Sequence, residues 1–151
     1  MKFELIRDDE IDATCAMVIR ACKYSDFSDF YPPKYFYCTY DEIKEKAENG
    51  HFYIVKENDE IVGCGGISSY FGSLTESYLF MIFVEPSNQR KGIGRKIVEF
   101  LENDEYAQRA YRIEIHAAIS AIPFYRKLGY EHKNGDLFYE DGHFDLEKFT
   151  K

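Results

Sequence analysis

Apolar and polar positions alternate from the start of the chain, and Phe3 and Leu5 mark a short first strand over residues 2–7. Asp8, Asp9 and Glu10 follow. Acidic side chains complement the positive end of a helix dipole, so they signal a helix start. Ile11, Cys15, Val18, Ile19 and Cys22 recur at helical spacing and carry that helix to about Tyr24. Residues 26–40 have no period, are rich in aromatics and contain Pro32 and Pro33. Residues 41–49 read as a short polar helix ended by Gly50.

From His51 the pattern changes to strands. Phe52, Tyr53, Ile54 and Val55 form one run, Asn58, Asp59 and Glu60 a turn, and residues 61–70 the returning strand of a hairpin. Gly63, Gly65 and Gly66 weaken that second strand unless a bulge or a close approach of backbone requires them. Residues 78–84 are almost continuously apolar, as in a strand covered on both faces, and Pro86 ends them. Ile93, Ile97, Phe100 and Leu101 then form the apolar stripe of a helix. Over residues 111–116, Tyr111, Ile113 and Ile115 share one strand face and Arg112, Glu114 and His116 the other. A helix runs to Leu128 and stops at Gly129. Residues 137–139 and 143–149 make a closing hairpin around Asp141 and Gly142. Neither a repeat nor a linker divides the pattern, which predicts one mixed α/β domain over residues 1–151.

Composition narrows the function. Hydrophobic residues are 45% and charged residues 30% of 151, which is globular and not disordered. Thirteen Tyr and thirteen Phe fit either a sheet-rich core or an aromatic-lined pocket. A net charge of −8 argues against nucleic acid and anionic membrane as partners and is compatible with a cationic acceptor. No apolar run approaches the roughly 20 residues that span a bilayer. The N-terminus is charged and lacks the apolar stretch of a signal peptide. Cys15, Cys22, Cys38 and Cys64 form no CxxC pair, so they read as reduced, buried thiols of a cytoplasmic protein, and no metal site is expected.

The candidate chemistry begins at Gln89, Arg90, Lys91, Gly92, Ile93, Gly94 and Arg95, between a buried strand and an amphipathic helix. Backbone N–H groups at a helix start are unpaired within the helix, and with the helix dipole they attract anions. Gly92 and Gly94 lack Cβ atoms and let a phosphate approach the main chain. Between Pro86 and Val98 stand four basic residues (Arg90, Lys91, Arg95, Lys96) and no acidic one. The dipole alone disfavours cations there, which points to an anionic ligand. The loop is neither a Walker A sequence nor a GxGxxG fingerprint.

It resembles the Q/R-x-x-G-x-G/A signature of the GNAT superfamily of N-acetyltransferases. A second segment agrees. Ile113 through Tyr130, with Ala121, Phe124, Tyr125, Lys127 and Gly129, is similar to that family's strand–helix unit ending A-x-x-F-Y-x-K-x-G-F/Y. The order of elements also matches over essentially the whole chain. The resemblance implies a central, mostly antiparallel, twisted sheet of about seven strands flanked by about four helices. The sheet would splay between its fourth and fifth strands. It implies acetyl-CoA as co-substrate: Ile82, Phe83 and Val84 against pantetheine or the thioester, Gln89 to Arg95 on the pyrophosphate, Phe124 and Tyr125 beside the thiol. His116 falls where many members carry an Asn that helps hold the coenzyme; it could replace that amide or serve as a base.

The implied reaction is acetyl transfer to a primary amine of a small molecule or peptide by direct attack in a ternary complex. A non-catalytic acyl-CoA-binding module is the alternative. The departing thiolate needs a proton, and the phenol of Tyr125 is the candidate general acid. The base that deprotonates the amine is Glu76, Glu114 or His116; Glu85 reads as a strand-end charge. The acceptor site is expected from Asp26, Phe27, Asp29, Phe30, Tyr31 and their neighbours, unless that segment caps the core, and from the closing hairpin. The protein would act as a monomer or homodimer.

Overall fold

The computed structural model describes residues 1–24, 38–135, 139–140 and 143–150. Its strands are β1 (Lys2–Leu5), β2 (His51–Glu57), β3 (Glu60–Ser69), β4 (Glu76–Val84), β5 (Arg112–Ala117), β6 (Glu131–His132), β7 (Tyr139–Glu140) and β8 (His143–Phe149). The α-helices are α1 (Ile11–Tyr24), α2 (Tyr40–Asn49), α3 (Ile93–Glu102), α4 (Glu105–Gln108) and α5 (Ile122–Lys127). Along the sheet the order is β1-β2-β3-β4-β5-β8-β6, with β7 also on β8. Every pairing is antiparallel except β4 with β5. The sheet is mixed and mostly antiparallel, as the family resemblance implies.

Each face carries its own core. On one, Ile93, Ile97, Val98 and Leu101 of α3 pack with Val55, Val62, Leu79, Ile113, Ile115 and Leu146 of the strands. On the other, Ile11, Cys15, Val18 and Cys22 of α1 and Ile43 of α2 cover Phe52, Ile54, Cys64 and Phe80. The amphipathic stripes of α1 and α3 therefore lie on opposite faces of one sheet. All four cysteines are free and buried, with the Cys38 Sγ 3.4 Å from the Cys15 Sγ. Among the described residues no helix is long and apolar enough to cross a membrane.

Several local expectations are revised. The first helix begins as a short 3-10 turn (Asp8–Glu10) before α1. Thr39 caps α2 by accepting from the Glu42 N–H, while Gly50 follows in extended conformation and not as a left-handed cap. The one-turn helix α4 has too few residues to show a period; Asp104 caps it through the Tyr106 N–H. The two-residue strand β6 is equally illegible. Tyr139 and Glu140 pair with Phe144 and His143, as in the predicted hairpin, whose turn at Asp141 and Gly142 lies outside the described residues.

The glycines of β3 meet close neighbours. A Cβ on Gly65 would lie 2.7 Å from Ile97, so bare backbone lets α3 settle onto the sheet. On the other face a Cβ on Gly66 would lie 2.2 Å from the ring of Phe80, which is itself 6% exposed and packed on Phe52 and Tyr78. Gly66→Ala is therefore expected to destabilise by about 1–3 kcal/mol, as overpacking does. A thermal melt indistinguishable from wild type would refute that packing argument.

Candidate active site

The site forms where the sheet opens. β4 pairs with β5 only from Glu76 to Leu79, opposite Arg112 to Ile115, yet β4 continues to Val84 beside β3. One edge of the last part of β4 is thus without a strand among the described residues. A bulge re-aims it: Phe80 faces Gly66 and Phe83 faces Cys64, so Met81 and Ile82 together oppose Gly65. Met81 takes the left-handed conformation (φ 49°) that absorbs the extra residue, and the Cys64 thiol donates to its carbonyl at 3.2 Å. Ile82 to Val84 are consequently half-buried, and not covered on both faces as their apolar run predicts.

A cleft of about 500 Å³ occupies this opening. Ile82, Phe83 and Val84 line one wall. Gln89, Arg90, Gly92, Ile93, Gly94 and Arg95 line the end, and Phe124 and Tyr125 of α5 line another wall. Eleven of the thirteen coenzyme positions expected from sequence thus share one cleft. Lys91 and His116 do not line it. Ala121, named in the second motif without a coenzyme role, does line it, as do Ala21, Asn88 and Ser120, which were not singled out. Asn88 and Ser120 adjoin the two motifs, which is a signal; Ala21 lies on α1 and carried none.

The cleft's end is built for an anion. Gly92 caps α3 in the left-handed region (φ 78°), no side chain caps the helix, and its first turn holds no acid. Among the described residues a Cβ on Gly92 would meet nothing within 4 Å, so they leave the space before the helix start open. Arg90 is also left-handed (φ 65°), which coils the loop's main chain around this end. Gly94 fits beneath Phe124, where a Cβ would stand 3.3 Å from the ring. The Gln89 amide donates to the Val84 carbonyl at 3.2 Å, tying loop to strand. Arg95 pairs with Glu99 at 2.8 Å, whereas Arg90, Lys91 and Lys96 form no ion pair among the described residues. Glu85 is held at 2.6 Å by Arg20 of α1, consistent with a strand-end charge.

Tyr125 stands at the inner end of the cleft, 7% exposed, and its hydroxyl has no hydrogen-bond partner among the described residues. Burial, reinforced by Tyr78, pushes its phenol above the ordinary range. It is therefore a proton donor and not a phenolate at neutral pH.

The carboxylates weighed as bases are engaged elsewhere. Glu76 accepts from Arg112 Nε at 2.9 Å and does not line the cleft. Glu114 is 1% exposed and meets Arg112 Nη1 at 2.7 Å, Lys133 Nζ at 2.8 Å and His116 Nε2 at 2.8 Å. Burial alone would raise its pKa, but hydrogen bonds from His116, Lys133 and Arg112 outweigh burial and hold it at about 2. A carboxylate so stabilised as an anion is a poor proton acceptor. The acceptor segment expected at residues 26–33 lies outside the described residues.

The family follows from comparison. The model of the acetyltransferase (GNAT) domain matches residues 19–146, and the chain belongs to this family. No curated protein matches the sequence. Among solved structures, the PaiA N-acetyltransferase of Thermoplasma acidophilum in complex with coenzyme A superposes with a TM-score of 0.81 at 12% identity, covering 99% of both chains. The protein smu.2055 of Streptococcus mutans gives 0.75 at 25% identity over 97% of this chain and 96% of that one. A GNAT family acetyltransferase from Elizabethkingia anophelis with acetyl-CoA bound gives 0.60 at 17% identity, over 74% and 83%.

Proposed function

We propose that residues 1–151 act as one acetyl-CoA-dependent N-acetyltransferase domain. It moves an acetyl group to a primary amine of a small molecule or peptide by direct attack in a ternary complex. The observation that carries this reading is the convergence of three features on one cleft: the uncapped start of α3, the open edge of β4 and the hydroxyl of Tyr125, unpartnered among the described residues. The residues present fit the co-substrate. The N–H groups of Ile93, Gly94 and Arg95, with Arg90 beside them, suit a pyrophosphate. The free edge of Ile82 to Val84 suits the amide groups of pantetheine. Family membership and the coenzyme bound in two structural neighbours support the same assignment. The free, buried thiols fit a reducing cytoplasm.

Bound there, acetyl-CoA supplies an activated acetyl thioester. The Tyr125 hydroxyl donates its proton to the sulfur as the carbon–sulfur bond breaks, and the raised phenol pKa keeps that proton in place until then. Consumption of acetyl-CoA with a panel of primary amines tests this. Tyr125→Phe is expected to lower turnover at least about tenfold, with affinity for acetyl-CoA unchanged. Undiminished turnover would remove Tyr125 from the mechanism. Binding without turnover on any amine would favour an acyl-CoA-binding module.

A further inference from the structure

The cleft does not end at Tyr125. A smaller cavity of about 120 Å³ adjoins it, with Ile82, Phe83, Ala121 and Tyr125 as common walls. Tyr78, Phe80 and His116 form its remaining polar and aromatic wall. Tyr78 and Phe80 in turn border a hollow of about 450 Å³ beside Glu42, Glu45 and Lys46 of α2. An imidazole and the candidate acid thus line one small cavity, between the cleft and an outer hollow.

His116 is fixed in a definite state. Its Nε2 lies 2.8 Å from Glu114 Oε2 and 3.4 Å from Asp145 Oδ1. Its ring stacks on that of His143, 4.4 Å between centroids and 7° between planes, and His143 Nε2 reaches the same Asp145 oxygen at 3.2 Å. A buried carboxylate accepting from one imidazole nitrogen sets the tautomer, placing the proton on Nε2 and the lone pair on Nδ1. Nδ1 meets the Tyr78 hydroxyl at 3.5 Å, the limit of a hydrogen bond, so a better donor can displace it. Burial, then Glu114, push the Tyr78 phenol up to about 12, so it stays neutral beside the ring.

We infer that His116 Nδ1 is the base that takes the proton of a primary aliphatic ammonium acceptor, with Glu114 as the residue that positions it. This rests on the acetyl-transfer reading above. The Tyr78 ring in the cavity wall and the Asp145 carboxylate beside His116 attract a cationic amine. One ammonium proton passes to Nδ1 and later to solvent. The nitrogen lone pair then forms the bond to the acetyl carbon. The carbon–sulfur bond breaks with its electron pair on sulfur, which receives the Tyr125 proton. The second proton lost from nitrogen returns to Tyr125 through solvent. Products are the amide, the free thiol of coenzyme A and one released proton.

The titratable groups facing His116 are Glu114, Asp145, His143 and neutral Tyr78. Arg112 and Lys133 stand behind Glu114. The rate with a primary alkylamine should rise with pH along a limb set by deprotonation of the base. His116→Gln is expected to slow turnover at least about 100-fold and to remove that limb, while affinity for acetyl-CoA is unchanged because His116 lies off the cleft. His116→Asn should behave alike, and thermal melts of both establish that they fold. Glu114→Gln, which withdraws a negative charge, should move the limb to lower pH without abolishing it, a shift that loss of structure alone would not produce. Dialysis against a chelator should leave the rate unchanged. A retained limb in folded His116→Gln overturns the assignment, and so does chelator inactivation reversed by a divalent cation. Wild-type protein that binds acetyl-CoA yet acetylates no amine overturns the acetyl-transfer reading itself, and this role with it.

Discussion

Gly92→Asp is expected to weaken acetyl-CoA binding by at least about 100-fold, roughly 2.7 kcal/mol, while leaving the protein folded. The side chain would project away from the described residues, none of which lies within 4 Å of a Cβ there. Asp is among the residues that tolerate the left-handed conformation, at a cost of about 1 kcal/mol. It is also among the best N-terminal caps, so its carboxylate would accept from the free N–H groups of α3 and offset part of that strain. The same act fills the donors a pyrophosphate needs and adds a repelling charge. Gly92→Ala carries the backbone strain without the charge and should lose far less affinity. Calorimetric titration of both variants checks this, and an undiminished affinity in Gly92→Asp would refute the anion site.

Glu114→Ala is expected to destabilise the fold by about 3 kcal/mol, within the range for breaking a buried ion pair. Arg112 is 7% exposed and would retain Glu76 and Glu147, but Lys133 and His116 would lose their closest carboxylate. For a chain of this size the melting temperature should fall by roughly 10 °C. The pH dependence has a definite sign. Glu114 has a folded pKa of about 2, below its ordinary 4.5. Its contribution is complete above the unfolded value and is lost as pH falls from there through the folded one. Wild type and variant should thus converge in stability as acid protonates this side chain. Equal melting temperatures at neutral pH would show that the network contributes nothing.

The elements that bury a long stripe were legible in the sequence. The periods of α1 and α3, the apolar run of β2 and the turn that returns it as β3 give each element its type. Gly92 and Gly94 at the head of α3 marked the anion site because loop and helix are contiguous. The chemistry of β5 was harder to read. Alternation placed Arg112, Glu114 and His116 on one face but could not say what covers it. Lys133, which with Arg112 and His116 turns Glu114 from a candidate base into a buried structural anion, comes from a later segment, as do Asp145 and Glu147, the partners of His116 and Arg112. Gln89 shows a similar limit. Its motif position suggests a ligand contact, whereas its amide closes the loop onto Val84. The bulge at Met81 left no mark at all, because an inserted residue in a uniformly apolar run does not disturb the pattern.

The most direct test of the central claim is calorimetric titration of the wild-type protein with acetyl-CoA. Saturable binding of one molecule per chain, with a dissociation constant in the micromolar range and lost in Gly92→Asp, is the predicted result. No binding at these concentrations, by protein shown to be folded, would contradict the assignment of the cleft to this co-substrate.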